Sequence, residues 1–144
     1  MRIGVVGSMQ FTERMVELCQ KLEEIGYMAF MSRFGPSFVG KTDDEKEKIK
    51  LEQKYEQDAI REFWNLMQDA DALLVANFDK RGIKNYIGGN TFLEMGFAHV
   101  LNQKIYLLNP IPKMPHYETE IIAMRPEVIH GDLARIGNAQ ISSR

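Results

Sequence analysis

A run of five apolar residues between two polar ones, Asp71-Ala72-Leu73-Leu74-Val75-Ala76-Asn77, predicts a strand that is buried on both faces. A glycine-containing loop (residues 78–89) follows this strand, and a helical pattern then covers residues 90–101. Another short apolar run, residues 104–109, predicts the next strand. Because a strand, a helix and a strand in this order form a crossover unit, the stretch predicts parallel strands in an α/β fold.

The same alternation of strands and helices extends to both sides of this unit. The patterns predict strands at Arg2–Val6, 27–32 and 128–130, helices at Thr12–Ile25, 45–67 and 118–124, and a weakly ordered tail from residue 134. Such an order predicts a three-layer sandwich, in which helices cover both faces of a parallel sheet. There is no internal repeat, and we expect one domain over residues 1–144.

Composition and charge indicate which kinds of binding partner the protein is expected to lack. The chain is 44% hydrophobic and 26% charged, and its net charge of −2 gives no electrostatic reason to expect a nucleic-acid partner. The apolar runs are too short to span a bilayer and the N-terminus has no signal-peptide pattern, so we expect a cytoplasmic protein without a membrane partner. Because His99, His116 and His130 do not have the spacing of metal ligands, we expect neither a metal nor a cofactor.

Ligands of parallel sheets lie beyond the carboxyl ends of the strands. The segments that follow the first, third and fourth predicted strands should therefore border one crevice. The candidate ligand-binding residues in these segments are Gly7, Ser8, Met9, Gln10, Asn77, Gly88, Gly89, Asn90 and Thr91. A glycine and a serine between a strand and a helix suit phosphate or sugar hydroxyls, although an ordinary tight turn has the same pattern.

The sequence also contains two groups of cationic residues. Lys80, Arg81 and Lys84 lie in the long loop after the third strand, where they suit either a phosphate or a solvated surface. The other group lies in residues 45–52, Glu-Lys-Glu-Lys-Ile-Lys-Leu-Glu, which are mostly charged. We interpret them as the solvated face of a helix and assign them no function.

Glu94 is the only carboxylate in the apolar helix predicted at residues 90–101, and two interpretations fit it. With Thr91 as the N-cap, Glu94 completes a capping box and does nothing else. With Asn90 as the N-cap, Glu94 is no longer the third helical residue, which is the position that a capping box requires. In the second case a carboxylate in the first turn of a buried helix points into the crevice, where it is a candidate nucleophile.

These segments resemble the nucleoside 2-deoxyribosyltransferase superfamily, which includes the 2′-deoxynucleoside 5′-phosphate N-hydrolases. Residues 71–77 resemble its Asp-Ala-x-x-Val-Ala strand, and Asn90-Thr91-Phe92-Leu93-Glu94-Met95-Gly96-Phe97-Ala98 resembles its Gly-Thr-x-x-Glu-x-Gly-x-Ala motif. Gly7-Ser8-Met9 is similar to the Gly-Ser-Ile/Met turn of the N-hydrolase branch. The resemblance covers residues 1 to about 110.

The resemblance implies a flavodoxin- or Rossmann-like fold with a parallel sheet of four to five strands, in a homodimer or higher homo-oligomer. It also implies cleavage or transfer at the N-glycosidic bond of a small-molecule (deoxy)nucleoside or nucleotide. In that reaction Glu94 would be the nucleophile, and water or a second base would take the sugar from the glycosyl ester.

The chain departs from the family pattern at the acid that precedes the third strand. Phe63 stands where the family usually carries an Asp, and Asp58, Glu62 and Asp79 are the candidates to replace it. Asn90 also replaces a motif glycine. A non-catalytic nucleotide-binding or sensing module of the same fold is therefore one alternative function.

A phosphoribohydrolase is the other alternative. The motif of that class, Pro-Gly-Gly-x-Gly-Thr-x-x-Glu, is similar to Gly88-Gly89-Asn90-Thr91-x-x-Glu94. The stretch in this chain is one residue shorter and lacks the proline.

Overall fold

Five parallel strands in the order β2-β1-β3-β4-β5 form the sheet of this computed structural model, which describes residues 1–137. The strands are β1 (Arg2–Val6), β2 (Met28–Phe30), β3 (Ala72–Val75), β4 (Lys104–Leu107) and β5 (Glu127–Val128). The helices are α1 (Thr12–Ile25), α2 (Asp43–Glu56), α3 (Ala59–Leu66), α4 (Gly89–Val100) and α5 (Glu118–Ala123). This arrangement confirms the predicted α/β fold, with the strand order of flavodoxin-like proteins.

Each face of the sheet has its own apolar core, because side chains alternate along β3. Leu74 packs in one cluster with Met15 of α1. Leu73 and Val75 pack in the other cluster, which includes Met95 of α4. Helices therefore cover both faces, as the alternation of elements predicts.

The charged segment after β2 forms two helices, so the prediction of one helix from residue 45 to about residue 67 is wrong. Asp58 separates them, because it has the left-handed φ of +48° and L-residues in that conformation do not continue an α-helix. Its carboxylate accepts a hydrogen bond from the Arg61 N–H at 3.3 Å and so caps α3. The break allows α2 to pack against the short 3₁₀ turn Met9–Phe11 that follows β1.

The other predicted elements exist, with boundaries that differ by a few residues. All the strands except β1 are shorter than predicted, and β5 begins at Glu127. Of the tail predicted to be weakly ordered, residues 134–137 are described, and Ile136 is buried there with its carbonyl accepting the Tyr27 hydroxyl at 3.0 Å. Residues 138–144 lie outside the described part of the chain. In residues 1–137 we find no helix with the length and apolar character needed to cross a bilayer.

Asn77, predicted as a ligand-binding residue, joins the ends of β3 and β4. Its side-chain amide donates to the carbonyls of Asn109 (2.9 Å) and Pro110 (3.2 Å), and its amide oxygen accepts from the Asn109 N–H at 2.9 Å. The side chain of Asn109 donates in return to the Asn77 carbonyl at 3.0 Å. Because Asn77 is fully buried and engaged in these bonds, its side chain is a brace between two strand ends.

We expect Asn77→Ala to lower the free energy of unfolding by about 1–3 kcal/mol, because it leaves buried backbone groups without partners. Urea unfolding measures the change. The control is Gln20→Ala, an exposed position on α1 that should change stability by less than about 0.5 kcal/mol. An Asn77→Ala protein as stable as the control would show that the brace contributes nothing.

Candidate functional site

A cavity of about 250 Å³ opens beyond the carboxyl ends of β1 and β3, where the strand order reverses. Seven of the predicted ligand-binding residues line it, namely Gly7, Ser8, Met9, Gly88, Gly89, Asn90 and Thr91. The other lining residues are Lys50, Lys54, Lys80, Arg81 and Tyr86. We call this space the cation-lined cavity. The structure thus brings together the segments after β1 and β3, as the sequence predicts. The prediction is wrong for the segment after β4, because among the described residues none of that segment lines this cavity.

Position 7 favours glycine, because the chain segments that follow β1 and β3 approach each other closely there. A Cβ atom at this position would lie 3.0 Å from the Ala76 carbonyl oxygen and 3.3 Å from the Ala76 Cβ. The next residue, Ser8, caps the 3₁₀ turn through a long contact of 3.4 Å from the Gln10 N–H. Its hydroxyl oxygen also accepts from Lys80 Nζ at 2.8 Å, which ties the two segments together.

Two of the predicted ligand-binding residues lie outside the lining of this cavity. Asn77 is held in the brace described above. Gln10 borders a smaller neighbouring space, and its carbonyl accepts from Lys46 Nζ at 3.1 Å. Both contacts join elements of the fold to each other, so we do not count these two residues in the candidate site.

Helix α4 begins one residue earlier than predicted, at Gly89, and this changes the interpretation of Glu94. The N-cap is Gly88, which has extended backbone and no side chain that could cap the helix. Neither Thr91 nor Asn90 is therefore the N-cap, and the capping-box interpretation is wrong. Counting from Gly89, Glu94 is the sixth helical residue and lies in the second turn, whereas the sequence predicted the first.

The helix is also less buried than its apolar sequence predicts. Leu93 is 46% exposed and Val100 is 76% exposed, so one face of α4 is open in the single chain. The opposite face carries Thr91, Glu94, Met95 and Ala98, which are buried. Glu94 therefore points toward the protein interior beside the crevice.

Glu94 is only 9% exposed and lines a narrow cavity of about 40 Å³. The other residues around this space are Met9, Ser32, Phe38, Lys50, Gln53, Lys54, Ala59, Phe63 and Asn90. In residues 1–137 we find no hydrogen bond or ion pair to the Glu94 carboxyl group. Burial raises the pKa of Glu94 to about 8, and the positive charge of Lys54 opposes that rise.

Lys50 and Lys54 of α2 line both this space and the cation-lined cavity, so the two cavities adjoin. Lys80 and Arg81 complete the set of four cations, and among the described residues no Asp or Glu lines the larger cavity. Burial lowers the pKa of Lys80, and the neighbouring charges of Arg81 and Lys50 lower it further. The cavity therefore favours an anionic ligand.

Lys84 lies apart from this group. It borders a different groove, together with Ile111 and Lys113. Of the three loop cations proposed from the sequence for a phosphate, the structure thus brings Lys80 and Arg81 to the cavity and leaves Lys84 outside it.

Lys50 and Lys54 belong to the charged helix that the sequence predicts to be a solvated face without a function. A sequence signal for them exists, because Lys46, Lys50 and Lys54 stand four residues apart and so share one helix face. Like charges at this spacing destabilise a solvated helix, and the repeat therefore points to a partner for them. Lys46 has such a partner, since it is buried and bonded to the Glu13 carboxylate at 2.7 Å.

The three candidate acids lie away from Glu94. Asp58 pairs with Arg61 Nε at 2.8 Å, and the Arg61 hydrogen bonds lower the pKa of this carboxyl. Asp79 accepts the Asn85 N–H at 2.9 Å, and Glu62 pairs with Arg33 at 2.9 Å. In the described chain neither cavity is lined by these three residues. Phe63, at the position where the sequence resemblance implies an acid, does line the Glu94 cavity and is almost fully buried.

No family model matches the chain, and no curated protein matches it significantly. Among solved structures, the chain is similar to the CMP N-glycosidase BcmB of Clostridium botulinum. The two share 19% sequence identity over 89% of this chain and 85% of the other, with a TM-score of 0.45.

We expect Glu94→Gln to become more stable than the wild type as the pH rises. Because the folded pKa of about 8 lies above the unfolded value of about 4.5, the folded wild type holds a proton that the unfolded chain has lost between these values. The wild type should therefore lose up to about 1.4 kcal/mol of stability per pH unit in this window, and Gln should not.

Urea unfolding at pH 5 and pH 8 checks this expectation. The control is Glu24→Gln on the exposed face of α1, which should keep the pH dependence of the wild type. If the stability difference between Glu94→Gln and the wild type is the same at both values of pH, Glu94 titrates normally and is accessible to water.

Proposed function

We propose that the protein cleaves or transfers at the N-glycosidic bond of a nucleoside or nucleotide, with Glu94 as the nucleophile. The observation that supports this proposal most directly is the environment of Glu94. Glu94 is only 9% exposed and its carboxyl group has no hydrogen-bond partner among residues 1–137, whereas most buried carboxyl groups with a structural role are paired. This carboxyl group faces a space that adjoins a cation-lined cavity at the ligand-binding edge of the sheet.

In the proposed reaction an ionised Glu94 oxygen attacks the anomeric carbon of the sugar. The bond between that carbon and the base nitrogen breaks, its electron pair goes to the base, and the base takes up a proton from solvent water. Water or a second base then attacks the same carbon, loses a proton to solvent and releases Glu94 as a carboxylate, so the anomeric configuration is retained overall. Lys54 favours the ionised form of Glu94 that the first step needs.

We assign no catalytic role to Asp58 or Asp79, since each is already bonded elsewhere on the surface. Gly7, Ser8 and Met9 and the segment from Gly88 to Thr91 are proposed to contact the substrate, because they line the cation-lined cavity. The homo-oligomer implied by the sequence resemblance stays a prediction.

A non-catalytic nucleotide-binding module is the second candidate function. It is favoured by Phe63, which places an aromatic ring in the Glu94 cavity at the position where the resemblance implies an acid. In this candidate function, Glu94 would bind a ligand in its protonated form and no bond would break. It predicts that ligands stabilise the protein against heat without turnover.

Release of free base distinguishes the two candidates. The wild type is incubated with a panel of nucleosides and nucleotides, both ribo and deoxy, and the products are separated by liquid chromatography. We expect base release from at least one compound and a loss of at least about 10³-fold in Glu94→Gln, because the amide cannot act as the nucleophile. Glu24→Gln is the matched control and should keep full activity. Ligand-induced stabilisation without base release would support the binding module.

The pH dependence of base release tests the protonation state of Glu94. If Glu94 is the nucleophile, kcat/KM should rise with pH and level off above about 8, the pKa of this carboxyl. Lys54→Met should move the rise to higher pH, because it removes the positive charge that opposes the pKa shift, and Lys84→Met should leave the profile unchanged. A rate that falls through the same pH range would instead identify Glu94 as a proton donor.

A further inference from the structure

We propose that the cation-lined cavity binds two linked phosphate groups, so that the substrate is a nucleotide with a diphosphate. This inference rests on the proposed function for the placement of the sugar at Glu94. It names the class of nucleotide, which neither the motif nor the fold specifies.

The charge of the cavity exceeds what one phosphate group offsets. Lys50 is paired with Glu47 at 2.9 Å, whereas Lys54, Lys80 and Arg81 form no ion pair with any residue of 1–137. While Glu94 holds its proton, a phosphate monoester, which carries about −1.5 to −2 at pH 7, would leave part of this charge without a partner. A second ionised phosphate would offset the remainder.

Backbone groups give the cavity a second kind of anion-binding surface. The N-cap of the 12-residue helix α4 is Gly88, which has no side chain to satisfy the first N–H groups of the helix. Gly89, Asn90 and Thr91, the first helical residues, line the cavity. The free N–H groups and the positive end of the helix dipole bind phosphate, and they are chemically distinct from the lysine and arginine side chains. One cavity thus contains two types of phosphate-binding group.

The loop cations are held in position by a tight turn. The N–H of Lys80 donates to the Ile83 carbonyl at 3.1 Å, and the N–H of Ile83 donates back to the Lys80 carbonyl at 2.9 Å. Arg81 and Gly82 between them have φ values of +54° and +74°, which are typical of a type I′ turn. The turn fixes the backbone of Lys80 and Arg81, and the 2.8 Å contact with Ser8 holds the Lys80 ammonium group, so both cations line the cavity without a ligand. A bound diphosphate would relieve their mutual repulsion.

The first experiment uses inorganic pyrophosphate and inorganic phosphate as probes, because they need no knowledge of the base. Isothermal titration calorimetry on the full chain measures both dissociation constants. We expect pyrophosphate to bind at least about tenfold more tightly than phosphate. Arg81→Met should reduce this preference to about threefold or less, because it removes one charge-assisted contact.

Lys84→Met is the matched control, since it removes one cation from the same loop outside the cavity. It should change both dissociation constants by less than about twofold. Circular dichroism verifies that both variants are folded. Equal affinity for the two probes, or the same loss in Lys84→Met as in Arg81→Met, would overturn the inference.

The second experiment separates a nucleotide from free pyrophosphate as the ligand. Glu94→Gln, which cannot turn over, is titrated with the nucleoside, the 5′-monophosphate and the 5′-diphosphate of each common base. We expect one diphosphate to bind most tightly, and more tightly than pyrophosphate itself. If every diphosphate binds no better than pyrophosphate, or no better than its monophosphate, the nucleotide diphosphate is ruled out.

The two proposals fail in different assays. Tight binding of a nucleoside diphosphate without base release by the wild type would support the diphosphate cavity and overturn the proposed reaction. Base release from nucleosides or monophosphates, with diphosphates neither bound more tightly nor cleaved, would support the reaction and overturn the diphosphate inference.

Discussion

The close approach of the chain just beyond the carboxyl ends of β1 and β3 is the constraint on which the rest of the site depends. At Gly7 a Cβ atom would lie only 3.0 Å from the Ala76 carbonyl oxygen, so the two segments leave the sheet close to each other. They then diverge, because β1 leads to α1 on one face of the sheet and β3 leads to α4 on the other. A crevice opens between diverging connections of this kind. Ser8 and Gly88 therefore face the same space although 80 residues separate them in the sequence.

Opposite charges meet in this crevice from different parts of the chain. Helix α4 contributes one buried carboxyl group, and α2 contributes Lys50 and Lys54, which border both cavities. The left-handed conformation of Asp58 separates α2 from α3. Because of this break, the two lysines of α2 and Phe63 of α3 reach the Glu94 cavity from two separate helices. Desolvation disfavours the charge of Glu94 while the lysine charge favours it, and the balance sets a pKa of about 8. A carboxyl group in that range is able to exchange its proton near neutral pH.

The sequence predicts the sheet and the general position of the site because both follow from short-range patterns. Apolar runs such as residues 72–77 identify buried strands, and the end of a parallel strand identifies where ligands bind. Helix starts are less predictable, since Thr91, Asn90 and Gly88 are all acceptable N-caps and the choice depends on the loop before them. The role of Lys50 and Lys54 depends on contacts between α2 and the turn after β1, which no local pattern contains. The repeat of lysines at every fourth residue is the only local pattern that indicates a role for Lys50 and Lys54.

The charge distribution of the site gives a physical reason to expect a phosphorylated substrate. The proposed glycosidic cleavage would pass through a transition state in which the sugar carries positive charge. In an empty cavity this charge would develop near Lys54, Lys80 and Arg81, with Glu94 as the only carboxyl group that lines either cavity within residues 1–137. Repulsion from these cations would raise the barrier for an uncharged nucleoside. A phosphate group bound to the same cations offsets their field, so the binding of an anionic substrate would itself remove the electrostatic obstacle to its cleavage.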